Sequence, residues 1–332
     1  NREALMEQGF YFMKSTGIAE DRKLSAYCLL EGQYDDYHQI NLINTKDKKI
    51  DFENKLKGDF EAELSELPPI IHTVIFSSEH FHSRLKEHLQ REKLKVLLEC
   101  YFHKFSLISY LRPQLEMAVS HYSTYLKSKG TEEIENYLKL CRPDNYYYNY
   151  NDYLSGWQKN FPSSSITVRL FNKEQLVNND IVSDFCSYLD INLTDQTKIP
   201  RVNESVTPTG QEMLKLVNKT FQIFTDEGER NSTRVAFVQI ISNIYSGVGL
   251  KPDKALAAYI QGQFDDINDR VRKIYFPDRK YLFDINLEEF LRCDEIDWSV
   301  VSFFEKFISE YNKINTAQLA GVRPYLIDYL RD

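Results

Sequence analysis

The chain has 332 residues, of which 42% are apolar, which is enough to bury a large core in one domain or two. Its net charge of −8 argues against non-specific binding to nucleic acid or to an anionic membrane, but leaves open a local pocket for a small anion. No stretch approaches the roughly 20 apolar residues of a membrane span, and the N-terminus has no signal-peptide pattern. Five scattered cysteines without a CxxC spacing favour a reducing, cytoplasmic location.

The elements of the first 200 residues alternate between helix and strand. Residues 1–15 are predicted as the end of a helix, and the polar residues 44–59 as a loop or a solvated helix start. Short β-branched runs predict strands at 70–77, 105–111 and 166–171, and apolar spacing predicts helices at about 81–101, 113–129 and 174–189. Strands alternating with helices imply parallel pairing.

From about residue 211 onward the spacing of apolar residues predicts helices only. The predicted fold is therefore a three-layer α/β protein with a central parallel sheet over residues 1–200. A mainly helical region over 201–332 is expected to pack on this core.

Ligands of open α/β sheets bind beyond the carboxyl ends of the strands. Arg112 ends the second predicted strand just before a helix begins, and Ser120 lies about two turns into that helix. A guanidinium, a hydroxyl and a helix N-terminus can together bind one anion. The alternative is an arginine at the sheet edge and a serine that faces solvent, and the spacing alone does not decide between them.

The stretch Tyr110–Tyr122 resembles the 3′-phosphate-binding segment of sulfotransferases, in which a strand ends in Arg and a Ser-x-Tyr step begins eight residues later. The wider chain, over roughly 1–285, is similar to bacterial carbohydrate-type sulfotransferases, which have a P-loop-like fold. The pieces that carry this similarity are 76–80, 168–171, 201–205 and 275–279. The resemblance implies a donor, 3′-phosphoadenosine 5′-phosphosulfate, whose 3′-phosphate Arg112 and Ser120 would bind, and a saccharide acceptor.

The reaction also needs a base beside the acceptor hydroxyl, and the resemblance puts a Glu or a His after the first predicted strand. Glu79 is the first candidate and His80 the second; the alternative is that Glu79 caps a helix and His80 faces solvent. The basic run near residue 272 gives two further donor-binding candidates, Arg272 and Arg279, although a solvated helix face explains such a run as well. No metal site is expected, because His72, His80 and His82 lack a completing ligand at a suitable spacing.

Two residues are candidates for the acceptor side of the site. His38 is a candidate for the acceptor cleft. Tyr150, in the tyrosine-rich run 146–153, is a candidate for stacking on a sugar, against the alternative of a structural loop and helix start.

One part of the sulfotransferase pattern is missing. The family's first strand ends in a Pro-Lys-x-Gly-Thr-Thr-like loop that holds the 5′-phosphosulfate, whereas this chain begins with what resembles the end of the following helix. The two glycines near Lys251 are predicted to form a turn between helices. Two other functions therefore stay open: a non-catalytic nucleotide- or glycan-binding relative, and a P-loop small-molecule kinase.

Overall fold

The computed structural model describes residues 2–18, 20–192, 205–225, 228–288 and 295–313. The chain divides into two compact units. The first is formed by Asn1–Arg112, Asn149–Ile199 and Lys273–Tyr275, and the second by Pro113–Tyr148, Pro200–Arg272 and Phe276–Asp332. Residues 113–148, which the sequence assigns to the α/β core, thus group with the later part of the chain.

The described residues form short strands and many helices. In chain order these are α1 (Arg2–Met6), β1 (Phe10–Phe12), α2 (Arg22–Tyr27), α3 (Asp36–Ile40), α4 (Lys46–Ser65), β2 (Thr73–Ile75), α5 (Glu79–Arg84), α6 (His88–Glu99), β3 (Ser106–Leu111), α7 (Gln114–Ser128), α8 (Ile134–Tyr137), α9 (Tyr150–Asn160), β4 (Ser165–Leu170), α10 (Ile181–Tyr188), α11 (Pro208–Thr220), α12 (Ser232–Ile244), α13 (Lys254–Gly262), α14 (Asp265–Tyr275) and α15 (Trp298–Lys313).

All four strands belong to the first unit and pair in parallel. β1 lies beside β2, with Tyr11 opposite Val74, and β3 lies beside β4, with Ile108 opposite Thr167. The three predicted strands are present as β2, β3 and β4, and the prediction of an α/β chain with parallel strands is confirmed.

The prediction of a helix end over residues 1–15 is wrong in its second half, where β1 lies. α1 stops at Met6, and Gly9 turns the chain with a φ of +82°, a conformation that is easy only for glycine. The carbonyl oxygen of Gly9 then accepts hydrogen bonds from the amides of His72 and Thr73, which aligns β1 with β2. The segment 44–59 is also more regular than expected, because α4 is a helix of 20 residues.

The first unit has an aromatic and aliphatic core between its helices and strands. Phe60 of α4 and Leu85 are fully buried, and Leu94, Leu98 and Trp157 pack in the same cluster. Burial of such side chains stabilises the fold by about 1.5–3 kcal/mol each.

β3, β4 and α10 are joined by one buried carboxylate. Asp184 accepts hydrogen bonds from Arg169 Nε at 2.5 Å, Arg169 Nη2 at 2.6 Å and the Tyr110 hydroxyl at 2.7 Å. Burial alone would raise the pKa of Asp184, but these hydrogen bonds outweigh it and lower the pKa. Arg169, which carries part of the sulfotransferase resemblance, thus has a structural partner here.

The named elements of the second unit are all helices. α11 packs against α7, α12 and α15, and its buried side includes Met213, Leu214 and Val217. Phe304 of α15 packs edge-on against Phe237 of α12. The helices that the sequence predicts after residue 211 are therefore present, and residues 247–251 lie in the connection between α12 and α13. Over the residues that the structure describes, no helix has the length and apolarity needed to cross a bilayer.

Candidate functional site

The carboxyl end of β2 leads directly into α5, and the residues at this junction are polar. Ser78 is the N-cap of α5: its hydroxyl oxygen accepts from the amide of His80 at 3.2 Å, and its hydroxyl donates to Glu20 Oε2 at 2.9 Å. This cap fixes where Glu79 and His80 leave the strand.

His80 and Glu79 have very different surroundings. The side chain of His80 is 15% exposed, and its Nε2 lies 3.3 Å from Glu20 Oε1. The side chain of Glu79 is 78% exposed, and its nearest ionic contact is His80 at 3.9 Å. Of the two candidates for a base, the geometry favours His80, because its imidazole is largely buried and has Glu20 as a partner, whereas the Glu79 carboxylate is exposed.

The pKa of His80 lies below its ordinary value. Burial is the main cause, and the positive charges of Arg22 and Arg84 lower the pKa further, while Glu20 and Glu79 oppose them. His80 is therefore mainly neutral at pH 7, which is the state that can accept a proton.

Two arginines beside His80 are held by a pair of aspartates at the start of α3. Arg22 Nη2 contacts Asp35 at 2.6 Å and Asp36 at 3.0 Å, and Arg84 contacts the same two carboxylates at 3.3 Å and 2.9 Å. These four ion pairs connect α2, α3 and α5, and they occupy both guanidinium groups.

His38 belongs to this network and does not face a cleft. It is fully buried, and its Nδ1 lies 2.8 Å from Asp35 Oδ1, within a capping box that starts α3. Hydrogen bonds from His38 and Arg22 outweigh the burial of Asp35 and lower its pKa. The structure therefore does not place His38 where the sequence predicts it, at an acceptor cleft. Its buried ring packs against Tyr34, Tyr37 and Phe52.

The carboxylate of Asp21 joins the loop after β1 to the end of β2. Asp21 accepts from the Thr16 hydroxyl and from the amide of Ser77, each at 2.5 Å, and it is almost completely buried. Burial raises the pKa of Asp21 to about 6, although both hydrogen bonds act in the opposite direction.

The loop after β1 contains Lys14, Ser15 and Thr16, residue types that also occur in phosphate-binding loops. Two of its amide groups are already in use, because the amides of Lys14 and Ser15 each donate to the carboxylate of Glu63 at 2.7 Å. At these two positions the loop therefore offers no free backbone donor to a phosphosulfate.

Arg112 follows the last residue of β3 and is half-buried. Among the residues that the structure describes, its guanidinium has no hydrogen-bond or ion-pair partner, whereas its carbonyl oxygen accepts from the Tyr150 hydroxyl at 2.7 Å. Tyr150 is only 1% exposed, so its ring has no free face for a sugar. The stacking role predicted for Tyr150 is thus replaced by a contact with the Arg112 backbone.

Ser120 lies half-buried in α7, in the second unit. The start of α7 is capped by a distant side chain, since the amide of Leu115 donates to Gln261 Oε1 at 3.1 Å. One of the helix N-terminal amides that the sequence predicts to bind an anion is therefore occupied. The pairing of Arg112 with Ser120 stays a prediction.

The two remaining donor-binding candidates have partners of their own. Arg272 pairs with Asp269 at 2.9 Å and donates to the carbonyl oxygen of Arg279 at 2.9 Å, and Arg279 pairs with Asp284 at 2.8 Å. Both guanidinium groups brace the turn that follows α14, and binding a phosphate would require them to exchange these partners.

Sequence reasoning missed Glu20, Arg22 and Arg84 as neighbours of His80. The position of Arg84 could have been predicted, because it follows His80 by four residues and residues four apart share a helix face. Glu20 and Arg22 carried none, since the parallel pairing of β1 with the distant β2 brings them there.

Comparison of the chain with protein-family models, with curated proteins and with solved structures found no match. Within the described ranges, no group of three His, Cys, Asp or Glu side chains is arranged to hold a metal ion.

Proposed function

We propose that the chain is a sulfotransferase that moves a sulfuryl group from 3′-phosphoadenosine 5′-phosphosulfate to a hydroxyl of a saccharide. One observation carries the proposal: within the first unit, two strands from separate two-stranded parallel sheets are each followed by a group that this reaction uses. An imidazole beside a carboxylate follows β2, and an arginine without a described partner follows β3. The three-layer sulfotransferase-like sheet and the cytoplasmic location are part of this proposal.

In the proposed reaction His80 removes the proton of the acceptor hydroxyl while the hydroxyl oxygen attacks the sulfur. The bond between sulfur and the 5′-phosphate oxygen breaks, and its electron pair leaves with adenosine 3′,5′-bisphosphate. Glu20, 3.3 Å from Nε2, stabilises the imidazolium that forms. Arg112 binds the 3′-phosphate and thereby orients the donor, so that catalysis consists largely of positioning.

The first test is binding of the reaction product. Adenosine 3′,5′-bisphosphate at about 100 times its Kd should stabilise the fold by about 2.7 kcal/mol, which appears as a rise in Tm. Arg112→Ala should abolish this rise. Arg142→Ala, which removes an exposed arginine paired with Asp144, should leave it unchanged.

ATP provides the comparison ligand. A rise in Tm with ATP alone would favour the P-loop kinase. An unchanged rise in the Arg112→Ala variant would remove Arg112 from the site, and no rise with the bisphosphate would contradict the proposed function.

A further inference from the structure

The first turn of α9 is attached to the end of β3 at two points. The Tyr150 hydroxyl donates to the carbonyl oxygen of Arg112 at 2.7 Å, and the Tyr153 hydroxyl accepts from Ser109 Oγ at 3.4 Å. The first bond is short and the second is at the limit of a hydrogen bond, so Tyr150 makes the stronger attachment.

The same turn packs against α5 on its other side. The ring of His82 lies 4.2 Å from the Tyr153 ring and 6.4 Å from the Tyr150 ring, measured between centroids. Because α5 also carries His80, the two tyrosines connect the strand that ends at Arg112 with the helix that holds the proposed base.

The Arg112 carbonyl needs an outside partner. The sheet ladder ends one residue earlier, where the Leu111 carbonyl oxygen accepts from the amide of Phe171 at 2.6 Å. α7 starts only at Gln114, and among the described residues the hydroxyl of Tyr150 is the donor that reaches the Arg112 carbonyl. This hydrogen bond is partly buried, and its loss would leave the carbonyl oxygen without a donor among the described residues, so the hydroxyl holds the peptide at that point.

We propose that Tyr150 is a positioning residue for Arg112: its buried hydroxyl fixes the backbone from which the guanidinium reaches the 3′-phosphate of the donor. This inference rests on the proposed function. It assigns Tyr150, the first residue of α9, to the donor side of the site without contact with any substrate.

The test is the affinity for adenosine 3′,5′-bisphosphate, measured by calorimetry on the whole chain. Tyr150→Phe keeps the ring and removes the hydroxyl, and it should weaken binding by about 5- to 10-fold. Tyr153→Phe is the matched control, because it removes a hydroxyl from the same helical turn without touching Arg112. Its affinity should stay within about twofold of the unmodified chain.

A second comparison separates positioning from general loosening. Lysine at position 112 presents a flexible point charge that depends less on the backbone direction than the rigid guanidinium fork does. In an Arg112→Lys background, Tyr150→Phe should therefore change the affinity by less than about twofold. Thermal unfolding of each variant shows whether the fold is intact.

Unchanged affinity in Tyr150→Phe would overturn the inference. Equal losses in Tyr150→Phe and Tyr153→Phe would also overturn it, as would a full loss from Tyr150→Phe in the Arg112→Lys background. If the unmodified chain does not bind the bisphosphate, the proposed function fails and this inference fails with it. If binding depends on Arg112 but not on Tyr150, only the inference fails.

Discussion

His80 lies between charges of both signs, and the balance of these charges sets its protonation. The guanidinium groups of Arg22 and Arg84 act on one side and the carboxylates of Glu20 and Glu79 on the other. Asp35 and Asp36 pair with the two arginines and oppose their charge. Burial is the largest influence on the pKa of His80. This arrangement gives an imidazole that stays neutral at physiological pH.

The charge balance predicts opposite effects from two substitutions. In the unmodified chain His80 should titrate below its ordinary pKa of about 6.5. Glu20→Gln removes a charge that favours the imidazolium and should lower the pKa further. Arg84→Gln removes a charge that opposes the imidazolium and should raise the pKa. NMR titration of the imidazole protons measures all three values.

Glu79→Gln is the control for this titration, because the Glu79 side chain is exposed and farther from Nε2. It should shift the pKa of His80 downward by less than Glu20→Gln does. Shifts of the same sign in the Glu20 and Arg84 variants would contradict the proposed charge balance.

At this scale the sequence predicted positions better than roles. Ser78, Glu79 and His80 do lie after a strand, since strand ends can be recognised from β-branched runs and a following cap. The burial of Tyr150 could not be predicted, because it depends on a neighbour far away in the chain. His38 differs, since its aromatic neighbours Tyr34, Tyr37 and Phe52 lie within 14 positions of it. Tyr150 contacts Arg112 across 38 positions, and no local pattern encodes such a contact.

At the scale of elements, the predicted helix over 81–101 is two helices, α5 and α6. The break is stabilised by Arg91, whose Nη1 donates to the carbonyl oxygens of Leu85 and Lys86, each at 2.8 Å. Its Nε donates to Asn160 Oδ1 at 3.0 Å. A buried arginine therefore satisfies the carbonyl groups that the break leaves without helical partners.

Apolar spacing carries one signal of this break: Phe81 and Leu85 are four apart, as are Leu94 and Leu98, but the nine positions from Leu85 to Leu94 would put the two pairs on opposite faces of a continuous helix. Polar residues carry a second signal. Glu87 and Gln90 form a capping box, in which the Glu87 amide donates to Gln90 Oε1 at 2.8 Å, and this box marks a new helix start.

Replacing Arg91 should destabilise the first unit strongly. Arg91→Met keeps much of the apolar volume but removes the donor of two carbonyl oxygens, that of buried Leu85 and that of exposed Lys86, and we expect a loss of roughly 1–3 kcal/mol in the free energy of unfolding. Urea unfolding followed by Trp157 fluorescence measures this loss, because Trp157 lies in the core of the same unit. A Trp298→Phe background removes the other tryptophan of the chain.

Lys95→Met on the same helix is the matched control. Lys95 makes only surface ion pairs with Glu92 and Glu99, at 3.6 Å and 3.7 Å, so its loss should change the stability by less than about 0.5 kcal/mol. Equal effects of the two substitutions would show that the carbonyl contacts of Arg91 do not stabilise the break.

At the scale of the whole molecule, the division into two units differs from the boundary that the sequence suggests near residue 200. α7 looks from its sequence like part of an α/β repeat, since it follows a strand directly. Its partners lie elsewhere: it packs against α11 and α13, and Asn218 donates to the carbonyl oxygens of Leu126 and Gly130, both at 2.7 Å. Which helix covers a given apolar face is decided by packing and not by order in the chain.

This division predicts that a fragment of residues 1–200 does not fold into a complete domain. Such a fragment contains α7 but lacks α11 and α13, and the buried face of α7, including Leu115, Ala118 and Tyr122, would meet water. Circular dichroism melting and binding of a hydrophobic dye measure the result. We expect a broad transition and strong dye binding, whereas a sharp cooperative transition without dye binding would support a boundary near residue 200.

The cap of α7 also bears on how the protein is made. Gln114 lies in a buried cluster of side-chain amides in which it donates to Asn268 at 2.6 Å and accepts from Gln261 at 3.0 Å. Gln261, which caps α7, is therefore synthesised 146 positions after Leu115, whose amide it caps. At about 5–20 residues per second, this delay lasts roughly 7–30 seconds. During this interval α7 has been synthesised, but its N-terminal amide has no cap and its apolar face is not fully covered. Chaperones that shield such faces would act in that interval.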